Sequence, residues 1–210
     1  MAQIQSGVDS TLLTVDPTFH AARVTIRPPE LTGAYRLSMR SGTIAAATAA
    51  GVAAAFRYPG AGVAVVTSVR IGINTLVAYT AGSIIFSVWG TRSYTATETT
   101  NYTAATLSGN NAKLRTSHAT TSALAGICTT TGITGGTGTD DTQPFASTTF
   151  QLPATIIGQP VQDFFTFNMQ SHPLVLGTNE GFRIRNDTAW AATGSANLVV
   201  MIEWFEATSY

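Results

Sequence analysis

Apolar and polar residues alternate one by one along several stretches of the chain, most clearly between residues 174 and 210. Phe182 and Ile184 alternate with Arg183 and Arg185, the period of a strand with one buried and one wet face. Asn186-Asp187 and Gly194-Ser195 supply turn chemistry before the next run. From Leu198 to Glu206 almost every position is apolar, β-branched or aromatic, and Glu203 is the interruption. Leu198, Val200, Ile202 and Trp204 face one way; Val199, Met201 and Phe205 face the other. A strand apolar on both faces belongs in the middle of a sandwich or across a subunit interface. Residues 198–206 are therefore expected to form the central strand of an all-β domain.

The same period appears upstream. Tyr35, Leu37 and Met39 alternate with Arg36, Ser38 and Arg40, and Val63, Val65, Thr67, Val69, Ile71 and Ile73 alternate over residues 63–73. Asn74-Thr75 is read as a turn, with a short strand over 76–79 and a good one over 83–89. Residues 90–149 are rich in Thr, Ser, Gly and Asn, which predicts long loops with short strands near 112–115 and 122–128. Further strands are expected over 148–152 and 173–176. Two stretches fit less well. Residues 43–55 are mainly alanine, which favours helix, yet they carry Gly51 and lie among strands, so a short helix and an Ala-rich loop both stand. Residues 1–34 read as an irregular leader, in which Val24 and Ile26 form a short strand cut off by Pro28-Pro29. The pattern as a whole predicts a single jelly-roll-like β-sandwich over residues 35–210, preceded by an extended N-terminal arm over residues 1–34.

Composition turns this domain towards association. Charged residues make up 10% of the chain, with 11 basic and 11 acidic side chains and a formal net charge of zero. So little charge protects a free monomer poorly against self-association. The balance also argues against nonspecific nucleic-acid binding, which needs clustered Lys and Arg; Lys113 is the one lysine. Residues 44–56 are too short to span a bilayer, which needs roughly 20 apolar residues. The first residues lack the basic and apolar regions of a signal peptide. A protein that is soluble when made, with no membrane partner, is expected.

Candidate chemistry is sparse. Cys128 stands alone and has no Cys/His spacing for zinc around it. Ser117-His118 with Asp140-Asp141 names a Ser/His/Asp set, but neighbours on a strand point to opposite faces and no nucleophile elbow is present. Asp140-Asp141 in a Gly/Thr loop suggests calcium without any spacing to support it. No enzyme activity and no cofactor are expected. Arg23, Arg27, Arg36 and Arg40 cluster near the N-terminal side and read as a solvated edge or as a docking arm for an acidic partner surface. Trp190 sits in a polar turn segment, where it either folds back onto the sandwich or packs on a neighbouring subunit.

Several stretches carry a family resemblance. They are residues 15–23 (Val-Asp-Pro-Thr-Phe-His-Ala-Ala-Arg), 33–38 (Gly-Ala-Tyr-Arg-Leu-Ser) and 110–116 (Asn-Asn-Ala-Lys-Leu-Arg-Thr). Residues 171–176 (Ser-His-Pro-Leu-Val-Leu), 179–186 (Asn-Glu-Gly-Phe-Arg-Ile-Arg-Asn) and 202–206 (Ile-Glu-Trp-Phe-Glu) complete the set. In this order the chain resembles virion structural proteins of tailed bacteriophages from about residue 15 onward. The resemblance implies a component of the particle, made in the bacterial host cytoplasm, and carries over no catalytic residue.

The leading expectation is thus a capsid decoration or cement protein. It would be a homotrimer whose subunits meet through Val199, Met201, Phe205 and Trp190. The arm, with Arg23, Arg27, Arg36 and Arg40, would bind the major capsid protein or another virion protein on the outside of the head. A receptor- or glycan-binding module of a head or tail fibre is the alternative, with Trp190, Tyr94 and Tyr102 as candidate platforms. A β-rich capsid or tail-tube subunit is a third.

Overall fold

A computed structural model describes residues 31–156, 159–166 and 172–209. Among them every regular element is a strand: β1 (Leu31–Arg40), β2 (Ile44–Ala45), β3 (Gly51–Tyr58), β4 (Val63–Val77), β5 (Gly82–Ala96), β6 (Tyr102–Ala104), β7 (Leu124–Cys128), β8 (Thr137–Asp140), β9 (Ala146–Leu152), β10 (Gln162–Thr166), β11 (Leu174–Leu176), β12 (Glu180–Asn186) and β13 (Ser195–Ala207). They form two antiparallel sheets packed face to face, a β-sandwich. One sheet runs β1-β13-β4-β10, with β11 also on β4 and β2 on β13; the other runs β6-β7-β3-β12-β5-β8, with β9 on β5.

β13 is central, as its two-sided apolar pattern predicts. It pairs with β1 along one edge and with β4 along the other, the latter from Ser195↔Val77 to Ala207↔Val63. Leu198, Val200, Ile202 and Trp204 are buried against the second sheet. Trp204 stacks on Tyr35 of β1 with centroids 5.3 Å apart and meets Phe56 of β3 edge-on at 5.2 Å. Phe56 in turn stacks on Phe182 of β12, so the two sheets are joined at this end by a run of aromatic rings. At the other end Trp190 stacks on Tyr79 at 5.8 Å and meets Phe86 edge-on.

Three expectations are corrected here. Residues 43–55 are neither helix nor loop throughout: β2 is followed by a tight turn in which Ala47 takes φ +53°, and β3 begins at Gly51. Alanine's helix propensity is overridden because β3 lies between β7 and β12, where small side chains are needed. Ala53, Ala54 and Ala55 are all buried. Asn74-Thr75 does not turn the chain; β4 continues through it to Val77, with Thr75 buried. Residues 112–115 are not a strand but cross β1 at one isolated bridge, Lys113↔Tyr35.

A subtler change affects β4 itself. Val63, Val65, Val69 and Ile71 share a face by simple alternation, but the pairing with β13 shifts between Glu203↔Ser68 and Trp204↔Val66. The extra residue flips the side-chain parity. Val69, Ile71 and Ile73 point into the core together with Val66 and Ala64, whereas Val65 lies opposite Phe205 on the outer side. Leu31, Gly33 and Ala34, grouped with the leader by sequence, are paired residues of β1. The strand expected around Val24 and Ile26, and residues 1–30 generally, lie outside the described residues.

Candidate interaction surface

The outer face of the β1-β13-β4 sheet gathers residues that the sequence nominated for two different roles. Antiparallel register places side chains in rows across it: Arg40, Val199 and Gly72; Ser38, Met201 and Arg70; Arg36, Glu203 and Ser68; Ala34, Phe205 and Val65. Arg36 and Arg40 are exposed and lie at the β1 rim. Val199, Met201 and Phe205 are half-buried in the middle. The strand alternation that buries Leu198, Val200 and Ile202 necessarily turns these three outward.

Polar contacts fix the frame of this face. The Arg40 Nη2 donates to Asn197 Oδ1 at 2.8 Å, tying the rim to β13. Arg70 lies between two carboxylates, 3.2 Å from Asp163 and 3.5 Å from Glu203. All three are substantially solvated, so each pair contributes no more than about 1 kcal/mol. Arg23 and Arg27 lie outside the described residues.

Trp190 settles on the first of its two alternatives. It is 4% exposed, packed between Tyr79 and Phe86 inside the sandwich, and it is not presented to a neighbouring subunit. Its turn is polar but short: the Trp190 backbone N–H donates to the Thr48 carbonyl at 2.9 Å, and the indole packs on the Tyr79 and Phe86 rings. The aromatic platform for a glycan is not assembled either: Tyr94 is fully buried, and Tyr102 lies across Gly126 against the core.

The Ser/His/Asp set is dispersed. His118 Nδ1 faces the backbone of Ala34, accepting from its N–H at 3.0 Å. Asp140 sits on the other sheet, where it accepts from Thr91 Oγ1 at 2.9 Å and from Arg183 at 2.8 Å. Asp141 is held by Arg92, so both carboxylates proposed for calcium are engaged by guanidinium groups. Cys128 is buried in β7, and burial pushes its thiol up to about 11. Among the described residues no three His, Cys, Asp or Glu side chains converge to hold a metal ion, and no helix is long and apolar enough to cross a membrane.

One charged cluster is missing from the sequence reading. The face of β12 bearing Arg183 and Arg185, expected to be wet, is covered by the segment after β5 and by β8. Arg183 Nε donates to Glu98 at 2.9 Å and its Nη1 to Asp140, while its guanidinium lies 4.8 Å from the centre of the Tyr94 ring. Tyr94 Oη donates to the other Glu98 oxygen, and burial together with this carboxylate raises the phenol's pKa. Arg185 reaches Asp140 at 3.5 Å and lies over the Trp89 ring. Gly181 makes the layer possible: a side chain there would meet the Phe56 carbonyl at 2.1 Å and the Tyr94 ring at 2.8 Å. Every member of the cluster is engaged within the chain, so it reads as a clasp that pins the Thr/Gly-rich region to its sheet. The only sequence signal for it is the pair of arginines alternating with Phe182 and Ile184.

A second buried carboxylate, Glu206, closes the aromatic end of the core. It accepts from the Trp204 indole N–H at 3.3 Å, from the Ser122 N–H at 3.2 Å and from Thr121 Oγ1. Burial first, then Glu206, pushes the Tyr35 phenol up to about 12. Tyr35 Oη donates to the Ala119 carbonyl, which fixes residues 119–122 over this end of the sandwich.

In comparisons with known proteins, the chain matches no family model and no curated relative.

Proposed function

We propose that this chain is a structural protein of a tailed-phage particle, a capsid decoration or cement protein that associates with copies of itself and attaches to the outside of the head shell. The observation that carries the reading is the outer face of β1-β13-β4. There Val199, Met201 and Phe205, with Glu203 between the last two, run beside exposed Arg36 and Arg40. In this account the β13 row is the contact between subunits, in a homotrimer, and the arginine rim faces a capsid protein with an acidic surface. Several such rims on one oligomer, together with the arm bearing Arg23 and Arg27, would bind weakly one by one and tightly together. The family resemblance supplies the biological setting.

The test is binding of the purified protein to shells that lack it. Removing residues 1–30, which stops short of β1, is expected to abolish decoration while leaving the circular dichroism of the sandwich unchanged. Full decoration by the shortened chain would refute the role given to the arm. Failure of the intact chain to bind any shell would refute the reading itself. Glycan or cell-surface binding by the purified oligomer would favour the fibre reading, which would then need a platform other than Tyr94 and Trp190.

A further inference from the structure

Among the described strands β1 is the outermost of its sheet, and described residues cover its free side over only half its length. Near its start, Arg36 N–H donates to the Ala112 carbonyl at 2.8 Å and the Ala34 carbonyl accepts from Leu114 N–H at 3.0 Å, on either side of the Tyr35–Lys113 bridge. The covering chain then leaves β1 through a turn in which Asn111 N–H bonds back to Ser108 and Gly109 takes φ +64°. Backbone groups of alternate residues point to the same side of a strand, and no register shift interrupts β1 between Gly33 and Arg40. The side to which Arg36 N–H points is therefore the side to which Ser38 and Arg40 point. The carbonyls of Arg36 and Ser38 and the N–H groups of Ser38 and Arg40 lie along an edge that no described strand pairs.

Beside this edge runs a groove of about 310 Å³, with residues 36–40 as one wall and residues 103–106 and Ile127 as the other. Its inner side is apolar: Leu37 is half-buried, and Met39 and Ile127 are buried. Its outer rim carries two guanidinium groups, Arg36 and Arg40, and no carboxylate lines it. An unpaired edge of this kind is a template for an added strand.

We propose that the open half of β1 takes an extended segment of a partner protein by strand addition, a segment whose side chains alternate between apolar and acidic. The added strand would continue the pleat of β1. Its apolar residues fall beside Leu37 and Met39, and its carboxylates fall beside Arg36 and Arg40. The chain's own residues 23–27 alternate in the same way, but they would set Arg23, Thr25 and Arg27 against the arginine rim, which like-charge repulsion disfavours. The inference rests on the reading that this chain attaches to another protein of the particle, and it specifies the chemistry of that attachment.

The probe is a short end-blocked peptide alternating glutamate and valine, with a lysine–valine peptide as its counterpart, added to the full-length chain. In the free protein the Ser38 and Arg40 amides are expected to exchange rapidly with solvent while those of Leu37 and Met39, which face β13, exchange slowly. The glutamate peptide is expected to protect Ser38 and Arg40. Ser38→Pro removes one edge donor and no β13 contact, since proline is tolerated on the open side of an edge strand. It should weaken binding about tenfold or more without moving the unfolding midpoint. Arg36→Glu should reverse the preference between the two peptides, a readout that does not depend on the proline variant folding. Ser38 and Arg40 amides already protected in the free chain would overturn the proposal, as would equal affinity for both peptides or binding indifferent to Ser38→Pro. No arm of the experiment uses a shell, so its failure leaves the particle reading standing, and failure to bind shells leaves the peptide preference measurable.

Discussion

Replacing Arg183 by methionine tests whether the covered face of β12 is a sealed clasp or a solvated decoration. The Arg183 side chain is 11% exposed and that of Glu98 only 2%, and the two are joined at 2.9 Å. Asp140, at 2.8 Å from Arg183, is 19% exposed and keeps Thr91 and the longer contact to Arg185 when Arg183 is lost. Glu98 keeps only the Tyr94 hydroxyl. The substitution therefore strands one buried carboxylate, and breaking a buried pair in this way costs about 3–5 kcal/mol. That is a large part of the roughly 5–15 kcal/mol by which domains of this kind are stable. Urea unfolding followed by tryptophan fluorescence would show a lower midpoint with an unchanged slope. Adding Glu98→Gln to Arg183→Met removes the stranded charge and should recover about 1–3 kcal/mol. A loss below about 1 kcal/mol for the single variant would place the pair with exposed ion pairs and refute the clasp. Strict additivity of the two variants would refute it as well.

Two further predictions follow from local geometry and burial. Ala47 holds φ +53°, a conformation that glycine adopts without penalty, so Ala47→Gly should raise stability by about 0.4–1 kcal/mol in thermal unfolding; a decrease would mean that the turn is not strained. Cys128, its thiol raised from 9.0 to about 11 by burial, should resist alkylation at neutral pH in the folded chain and react at the rate of unfolding. The folded state disfavours the thiolate, so this contribution to stability is intact below about pH 9 and is lost as pH rises through about 11. A midpoint that increases over that window would contradict it.

How much of this was legible in the sequence depended on whether a feature is local. The period of two in Leu198–Trp204 specifies a strand and its two faces, and β13 has both. The same rule applied to β4 places Val65 on the wrong side, because a bulge opposite Glu203 and Trp204 resets the parity and leaves no mark in the residues themselves. The alanine stretch misleads for a related reason: propensity is a property of the isolated segment, while β3 is placed by its neighbours β7 and β12. Alternation also says nothing about which strands pair, so it yields a sandwich but not the connectivity implied by a jelly roll. For the site, Val199, Met201 and Phe205 were readable as outward-facing, and Arg36 and Arg40 as exposed. That they share one face was not readable, since it depends on the β1–β13 register. Trp190 was misplaced in one of its two readings because a polar sequence context does not reveal Tyr79 and Phe86 beneath the ring. The Arg183 clasp was hidden for the same reason: its carboxylates are about forty and eighty-five residues away in sequence.

The account depends most on the outer face of β13 being a contact between proteins, and sedimentation equilibrium of the full-length chain beside Met201→Glu tests that most directly. Position 201 is half-buried on the outer face of the sheet, so the fold should tolerate the change. A buried charge at a subunit contact costs several kcal/mol, enough to dissociate an oligomer at micromolar concentration. The account predicts that the parent chain sediments as a trimer and the folded variant as a monomer. A parent chain that stays monomeric at every accessible concentration, or a variant that remains trimeric, would contradict it.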